Sequence, residues 1–270
     1  PLVPWATCDQ EKDSYELLVS NARKAIMDGV YSKIVTSRRK SIKLANFNFS
    51  VLIPRLFGLY PNAFRYVWFH PVSGLWCGAT PELLVKIKGN EFNTMALAGT
   101  NKYDENKEPK WTSKEIDEQR LVVDAITNKL ECAASVVRVS SIRNHRAGSL
   151  VHLRTDFNGI FKKRENNLSI LVKSLHPTPA VCGTPEKLAK QFILRNENYN
   201  RSYYTGFLGP IDATTNSAKL FVNLRCMQID QEGANLYVGG GITLDSKPEA
   251  EWEETENKLQ TMLRVIAPML

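Results

Sequence analysis

The last part of the chain combines a glycine run with a dense group of acidic residues. Residues 239–258 read GGGITLDSKPEAEWEETENK, with one aspartate and five glutamates, although the whole chain has a formal net charge of +7. On a helical wheel at about 100° per residue, Glu251 and Glu254 lie one turn apart and share a flank with Lys258. Such a pair is either an exposed, solvated group or a place where negative charge binds a cation.

The other residues of this predicted helix define its orientation. The side chains that we expect to face the core fall on one arc, and they are Trp252, Thr255, Leu259, Met262, Leu263 and Ile266. Glu249, Glu253 and Glu256 lie on the opposite flank, where we expect them to be solvated. The wheel therefore separates three surface glutamates from the pair formed by Glu251 and Glu254.

A second acidic pair lies on another predicted helix, which covers residues 111–130, WTSKEIDEQRLVVDAITNKL. A capping box from Thr112 to Glu115 predicts its start. Glu115 and Glu118 are again one turn apart, and on a wheel with Ile116 at zero both fall within a broad apolar arc of about 200°. The rest of that arc is formed by Leu121, Val122, Val123, Ala125, Ile126 and Leu130. Carboxylates on an apolar face are costly unless they are paired or bind a cation.

Two interpretations of the four inward glutamates stay open at this point. Four carboxylates on two helices, without His or Cys, are typical of a site for a hard divalent cation, which indicates Mg²⁺. Alternatively, lysines and arginines neutralise the four buried glutamates. The residue types alone do not separate a metal site from a set of ion pairs.

The elements that must position these residues alternate between helices and runs of short strands. Helices are predicted for residues 11–28, 50–61, 111–130, 166–174, 185–196 and 248–267. Strands are predicted for residues 32–44, for three runs within 64–100 with turns at PVSG and KGNE, for residues 152–161, and for three runs within 203–244. Consecutive strands joined by short turns favour antiparallel sheets, so the predicted fold class is α+β, in one domain over residues 1–270.

Composition excludes several classes of protein. The 270 residues are 43% hydrophobic and 23% charged, which is typical of a globular chain. There is no apolar run long enough for a membrane span and no signal peptide at the N-terminus, and the five cysteines form no close pair, so we expect a cytoplasmic protein with reduced thiols. The basic residues are scattered and show no register with aromatic residues, which argues against a nucleic-acid partner and leaves an anionic small molecule.

The chain resembles the chorismate-utilising enzymes, and among them most closely the isochorismate synthases, from about residue 15 to residue 265. The resemblance rests on eight motifs in the family's order: SKIVTSRR, GATPELL, ALAGT, KEIDEQRLVVD, LHPTPAVCGTP, RSYYTGFLGPID, FVNLR and GGGITLDSKPEAEWEET. It implies the chorismate-binding fold, with two stacked, largely antiparallel sheets, outer helices and an active-site cleft. Family members usually carry a further N-terminal region, so we expect the chain to lack part of that region.

The resemblance also implies a metal site and a substrate site. Mg²⁺ would be held, directly or through water, by Glu115, Glu118, Glu251 and Glu254. The metal in turn would hold the ring carboxylate of chorismate. Gly239, Gly240 and Gly241 match a loop whose backbone N–H groups receive a carboxylate, a task for which glycine leaves the backbone accessible.

Five further residues match family positions near the substrate. Tyr204 and Arg225 match the residues that bind the pyruvyl carboxylate, and Lys258 matches a lysine beside the metal. Thr100 and His176 match positions that contact the substrate. Without the resemblance, a strand arginine or a lone histidine would be interpreted as an ordinary surface or core residue.

The resemblance further implies an isomerase that adds water at C2 of chorismate while the C4 hydroxyl leaves. Lys33 matches the lysine that activates water, and Glu82 matches the acid that protonates the leaving hydroxyl. A base on one side of the ring and an acid on the other are what this exchange requires. The product would feed menaquinone or siderophore biosynthesis, and no glutaminase subunit is expected.

Three alternatives remain from the sequence. A salicylate synthase shares the lysine and the acid and then eliminates pyruvate, whereas amine-forming relatives such as anthranilate synthase component I use ammonia. The lysine and the HPTPAV segment favour water. A catalytically inactive relative is disfavoured because Lys33, Glu82 and the four glutamates are all present. Asn101 and Lys102 depart from the arginine that many members place after AGT, which affects only that loop.

Overall fold

The computed structural model describes residue 3 and residues 8–147, 150–162 and 167–270. The helices in this part of the chain are α1 (Asp9–Met27), α2 (Phe49–Leu59), α3 (Ser113–Glu131), α4 (Asn167–Leu175), α5 (Glu186–Asn196) and α6 (Pro248–Ile266). The strands are β1 (Lys33–Ile42), β2 (Phe64–His70), β3 (Gly74–Thr80), β4 (Leu83–Lys88), β5 (Glu91–Lys102), β6 (Ala134–Val139), β7 (Arg143–Ala147), β8 (Leu150–Phe161), β9 (Gly183–Thr184), β10 (Phe207–Leu208), β11 (Ile211–Asp212), β12 (Ser217–Val222), β13 (Cys226–Asp230) and β14 (Gly233–Ile242).

The strands form two antiparallel sheets. The six-stranded sheet has the order β2-β3-β13-β14-β1-β9. The eight-stranded sheet has the order β10-β12-β4-β5-β8-β6, with β11 paired to β12 and β7 paired to β8. This arrangement of antiparallel sheets and helices confirms the predicted α+β class.

Helices and sheets pack as two layers, each with its own core. Helices α1, α2 and α6 belong to the six-stranded sheet, with α6 packed against β14 and against both other helices. Helices α3 and α4 pack on the eight-stranded sheet. Leu236 and Leu263 are buried in the first core, and Phe92 and Val122 are buried in the second. No helix in the described part of the chain has the length and apolar composition that a membrane-spanning helix needs.

The orientation predicted for the acidic helix α6 is largely confirmed. All six residues of the predicted core face are buried: Trp252, Thr255, Leu259, Met262, Leu263 and Ile266. Glu249 and Glu253 are exposed, as expected. Glu256 is a correction, because it is half-buried and forms an ion pair with Arg38, whose guanidinium stacks 3.9 Å from the Trp252 ring centroid.

Several predicted strands are divided or displaced in the structure. Residues 64–102 form four strands instead of three, because the chain breaks at Pro81 and Glu82 between β3 and β4. Residues 203–212 begin with a turn and contain only the two-residue strands β10 and β11. Strands β6 and β7, which both pair with β8, were not predicted. The first residue of the helix predicted for 166–174 lies outside the described residues, and α4 begins at Asn167.

The run predicted as one strand over residues 218–230 crosses from one sheet to the other. Its first half is β12 in the eight-stranded sheet, and its second half is β13 in the six-stranded sheet. Arg225 lies at the crossing with a φ of 48°, a left-handed conformation that non-glycine residues adopt rarely. The crossing places the Arg225 side chain between the two sheets.

Candidate active site

A cavity lies between the two sheets, with walls from β1 and β14 of one sheet and β5 and β8 of the other. The predicted site residues that line it are Glu82, Thr100, Glu118, Tyr204, Arg225, Gly239, Gly240, Gly241 and Lys258. Lys33 lies on the same face of β1 as Val35, which lines the cavity, and a Cβ on Gly241 would come within 2.7 Å of Lys33 Cε. The structure therefore brings most of the predicted site residues to one place.

Arg225 provides positive charge at this cavity. Its guanidinium is buried, with Nη1 3.2 Å from Thr261 Oγ1 and Nη2 3.4 Å from His152 Nε2. No carboxylate among the described residues lies within ion-pair distance of it. Burial lowers the pKa of Arg225, which remains a cation at any ordinary pH. A buried guanidinium without a carboxylate partner is a site for an external anion.

His152 is a functional residue that the sequence analysis missed. It lies on β8, lines the cavity and is buried. Its Nδ1 lies 2.9 Å from the Gly99 carbonyl oxygen, which can only accept, so Nδ1 carries the proton and Nε2 accepts from Arg225. Burial and the charge of Arg225 lower the pKa of His152 to about 3, so the ring is neutral near pH 7. The signal in the sequence was one histidine within the apolar strand segment LVHL.

Two further cavity residues, Thr100 and Tyr204, lie next to His152 and Arg225. Thr100 Oγ1 lies 3.3 Å from His152 Nδ1, at the inner end of β5. Tyr204 is buried beside Arg225, and its ring stacks on Tyr237 with centroids 5.6 Å apart. Burial raises the pKa of Tyr204, so its hydroxyl stays protonated and can donate a hydrogen bond. Arg225, Tyr204 and Thr100 thus provide donors at this end of the cavity.

Lys33 is the first residue of β1 and is fully buried. Its Nζ lies 3.0 Å from Glu118 Oε1 on α3, and this carboxylate compensates the charge of the ammonium group. The pairing was not predicted, because Glu118 was assigned to the metal. Removing a charged lysine amine from water costs free energy, so a buried lysine is expected to have a carboxylate partner or a function.

Glu82 occupies the break between β3 and β4. Its backbone N–H donates to Thr80 Oγ1 at 3.3 Å, and its carbonyl accepts from Val222 N at 3.0 Å, which fixes the residue between two strands. Burial raises the pKa of Glu82 to about 7, while the nearby charge of Lys33 acts in the opposite direction. A carboxyl group with this pKa retains its proton in part of the population at neutral pH and can donate it.

The three glycines are part of β14, which confirms the strand predicted over residues 235–244 and corrects the loop that the resemblance implied. They pair with β1 in the register Gly239 to Ser37, Gly240 to Thr36 and Gly241 to Val35. On the other edge, β13 pairs with β14 only from Gly233 to Leu236 in the described residues. Backbone groups of that edge therefore face the cavity, and Lys258 Nζ donates to the Gly239 carbonyl oxygen at 2.8 Å.

The two inward carboxylates of α6 are held by two lysines. Lys258 Nζ lies 2.6 Å from Glu254 Oε1, and Lys114 Nζ lies 2.8 Å from Glu251 Oε1 and 3.7 Å from Glu254 Oε2. Burial and the charge of Glu254 raise the pKa of Glu251. The pKa of Glu254 is lowered, because Lys258 and Lys114 outweigh the effect of burial.

The two glutamates of α3 have separate roles, which corrects the predicted inward pair. Glu118 is buried against Lys33. Glu115 accepts from the backbone N–H of Thr112 at 2.9 Å and from its hydroxyl, completing the predicted capping box. Ile116, on which the wheel was centred, is 48% exposed, so the true core face is rotated toward Glu118 and Val122.

His176 does not line this cavity, contrary to expectation. It follows α4, and its Nε2 lies 2.8 Å from the Thr205 carbonyl oxygen. It lines a neighbouring groove with Cys182 and Ile193. Ala180 and Val181, which belong to the same motif as His176, do line the cavity. The prediction that this segment lies at the site is therefore correct, but the prediction for the His176 side chain is wrong.

The acidic residues fit a divalent cation only in part. In residues 3, 8–147, 150–162 and 167–270, no three His, Cys, Asp or Glu side chains are grouped as a ready metal site. However, Glu251 Oε2 is buried without a hydrogen-bond partner. Side chains at Gly240 and Gly241 would meet Glu251 Oε2 at 3.0 Å and overlap Glu118 Oε1, so one carboxylate from each helix lies against the glycine strand, on opposite faces of it. This donor set is all-oxygen, which suits Mg²⁺.

Comparison with known proteins identifies the family. The profile of a chorismate binding enzyme family matches residues 5–267. The chain is 32% identical over 265 residues to isochorismate synthase EntC of Escherichia coli strain K12, covering 94% of this chain and 67% of that protein. The family predicted from the eight motifs is thereby confirmed.

Solved structures support the same relationship. MenF of Escherichia coli, described as a menaquinone-specific isochorismate synthase, matches with a TM-score of 0.83 and 27% identity, over 94% of this chain and 61% of that one. Anthranilate synthase component I of Streptococcus pneumoniae matches with a TM-score of 0.81 and 26% identity, over 93% of this chain and 57% of that one. The fold is shared by both kinds of enzyme, and the chain spans between 57% and 67% of the length of these relatives.

Proposed function

The chain belongs to the chorismate-binding enzyme family, and on that premise we propose that it converts chorismate to isochorismate with the help of Mg²⁺. The proposal concerns an isomerase that exchanges water for a ring hydroxyl and needs no ammonia-supplying subunit. It is supported by relatives named isochorismate synthases, at 32% and 30% identity in Escherichia coli and Bacillus subtilis. The product would serve menaquinone or siderophore biosynthesis.

The observation that carries the proposal is the presence at the same cavity of one amine and one carboxyl group that keeps its proton in part of the population at neutral pH. Lys33 lies beside Gly241 on the cavity-facing side of β1, and Glu82 lines the cavity wall. The charge of Lys33 lowers the pKa of Glu82, so the two groups interact, yet burial keeps that pKa at about 7. A base and an acid with separate tasks are required when water enters one ring carbon as hydroxide leaves another.

The remaining cavity residues fit the two carboxylates of chorismate. Arg225 offers a buried guanidinium with donors on both Nη atoms, and Tyr204 adds a hydroxyl donor that stays protonated. His152 accepts from Arg225 and thereby fixes the direction of the guanidinium. These groups would hold the pyruvyl carboxylate, while the unpaired edge of the glycine strand and Lys258 lie near the ring carboxylate.

The reaction follows from these positions. Lys33, once its proton is released, takes a proton from water as the water oxygen bonds to C2. The ring double bonds shift, the C4–O bond breaks, and Glu82 transfers its proton to the leaving oxygen, which departs as water. One water molecule enters and one leaves, so substrate and product are isomers.

Mg²⁺ would be held by Glu118, Glu251 and Glu254 around the glycine strand, with Glu115 contributing through water. When bound, the ion supplies positive charge that neutralises the ring carboxylate. The orphaned oxygen of Glu251 and the closeness of carboxylates from both helices to the glycine strand support this assignment. The chain's own contribution is to orient the carboxylates through the ion pairs of Lys33 with Glu118 and of Lys258 with Glu254.

The direct test is incubation with chorismate and Mg²⁺ near neutral pH, followed by chromatography of the products. We expect isochorismate without stoichiometric pyruvate, and no activity after removal of divalent ions with a chelator. Salicylate with one equivalent of pyruvate would identify a salicylate synthase instead. Anthranilate formed when ammonium is supplied would identify an amine-forming enzyme, and unchanged chorismate would leave only a binding role.

A further inference from the structure

Lys114 connects the two helices that carry the candidate metal ligands. It lies in the first turn of α3, and its ammonium group reaches across to α6. Its Nζ lies 2.8 Å from Glu251 Oε1 and 3.7 Å from Glu254 Oε2, so one cation contacts both carboxylates. The side chain is only 15% exposed. A single cation bound at the position of this ammonium group would neutralise the pair formed by Glu251 and Glu254 on α6.

The charges around this pair are balanced without a metal ion. Glu251 and Glu254 contribute two negative charges, and Lys114 and Lys258 contribute two positive charges within ion-pair distance. Lys258 is also fixed to the Gly239 carbonyl oxygen at 2.8 Å, whereas no hydrogen bond from Lys114 to the glycine strand is present in the described residues. Lys114 is therefore the cation of this group that can leave without disturbing the cavity wall.

A solvent-facing cavity lies beside Lys114 and provides space for the displaced side chain. It is lined by Thr112, Lys114, Glu115, Asp245, Glu251 and Glu253, among others. Asp245 and Glu253 are exposed, so they offer negative charge to a lysine that moves outward. The substrate cavity lies on the other side of the α6 pair, where Lys258 lines its wall. A metal ion that approaches from solvent would reach the carboxylates from the side that Lys114 covers.

We propose that Lys114 is a tethered cation that occupies the Glu251–Glu254 pair in the metal-free protein and is displaced into the solvent-facing cavity when Mg²⁺ binds. The proposal rests on the Mg²⁺ site of the proposed function. Mg²⁺ and the ammonium group compete for the same two carboxylates, Glu251 and Glu254, and the two cations repel each other at such short distance. After the exchange, the pair with Mg²⁺ and Lys258 has one positive charge in excess, which suits an incoming carboxylate.

The exchange has two consequences. In the metal-free protein, Lys114 protects α6 from the repulsion of two adjacent buried carboxylates. In return, it reduces the affinity for Mg²⁺, because its ion pair must be broken first. Lys114 is thus a positioning residue that sets metal affinity, and it has no contact with the reacting atoms.

The first experiment measures Mg²⁺ affinity by titration calorimetry on the intact chain without substrate. We expect Lys114→Met to bind Mg²⁺ at least about tenfold more tightly than the unmodified chain, since a competing charge is removed. Lys114→Arg keeps the charge and should bind close to the unmodified affinity. Lys129→Met is the matched control, because Lys129 is on the same helix and forms an ion pair with Glu186, away from the acidic site. Mg²⁺ binding that is equal for Lys114→Met and the unmodified chain would overturn the proposal.

The second experiment separates displacement from simple repulsion and needs no variant. Lysine acetylation of the unmodified chain is measured by mass spectrometry with and without Mg²⁺. Displacement predicts that acetylation of Lys114 rises several-fold with Mg²⁺ while that of Lys129 is unchanged. Unchanged acetylation of Lys114 in protein shown to bind Mg²⁺ would overturn the displacement. Absence of Mg²⁺ binding in every form would instead overturn the metal site, and with it the proposal that depends on it.

Discussion

The glutamate pairs of α3 and α6 have the same spacing and different surroundings. Both helices contain 19 residues, and both carry two glutamates three positions apart near the N-terminus. On α6, Glu251 and Glu254 point the same way and share lysine partners. On α3, Glu118 turns inward to Lys33, whereas Glu115 turns back to the start of its own helix.

The position of each pair relative to the helix cap explains the difference. Glu115 is three residues after the N-cap Thr112, where a glutamate can accept from the N-cap backbone. The N-cap of α6 is Lys247, which makes no side-chain cap, and Glu251 comes one position later than a capping glutamate would. Equal spacing therefore does not give equal roles, because local hydrogen bonding at a helix start competes with tertiary contacts.

The largest effect is expected at Lys33, the partner of the inward glutamate of α3. Lys33→Ala should reduce kcat by about 10²- to 10⁴-fold, the usual contribution of a general base, while chorismate affinity changes little. Turnover and substrate affinity of the variant would be measured separately. Near-normal turnover would mean that another group activates water.

Activity should also depend on the proton of Glu82. Burial raises the pKa of Glu82 to about 7, and the acid form is the active one. The turnover should therefore decline as pH rises through about 7, and this decline should be absent in Glu82→Gln, whose residual rate is low at every pH. A decline that persists in the variant would assign it to a different group.

A smaller effect is expected from the pair formed by Glu251 and Glu254 on α6. Glu254→Gln should weaken Mg²⁺-dependent chorismate binding by at least about tenfold, since a ligand is lost, while the helical circular dichroism signal is kept. Glu253→Gln is the control, because Glu253 is one residue away and exposed. Equal losses from both changes would show that the two flanks of α6 are not distinct in function.

The smallest effect is expected from Glu115 on α3, whose side chain turns back to the start of its own helix. Glu115→Ala should lower the free energy of unfolding by about 0.3–1.5 kcal/mol through loss of the capping box, whereas Glu115→Gln should retain it, since glutamine can also complete the box. Denaturant unfolding and Mg²⁺ titration of both variants would test this. If Glu115→Gln weakened Mg²⁺ binding as much as Glu254→Gln, the two helices would contribute equally to the metal.

The sequence by itself determined the features that depend on local spacing. The capping box at Thr112 and Glu115, the buried face of α6 and the exposure of Glu253 follow from helix periodicity, which fixes the side of a helix on which each residue lies. The eight motifs determined the family, because their order along the chain is specific. These features needed no knowledge of distant neighbours.

Tertiary structure alone decided which residues meet. Lys33 and Glu118 are 85 positions apart, and Lys114 contacts glutamates on a helix that begins more than 130 residues later. His152 becomes a site residue only because β8 lies opposite the sheet crossing at Arg225. Periodicity reports the side of an element to which a residue points, but the partner on that side is determined by how the sheets and helices pack against each other.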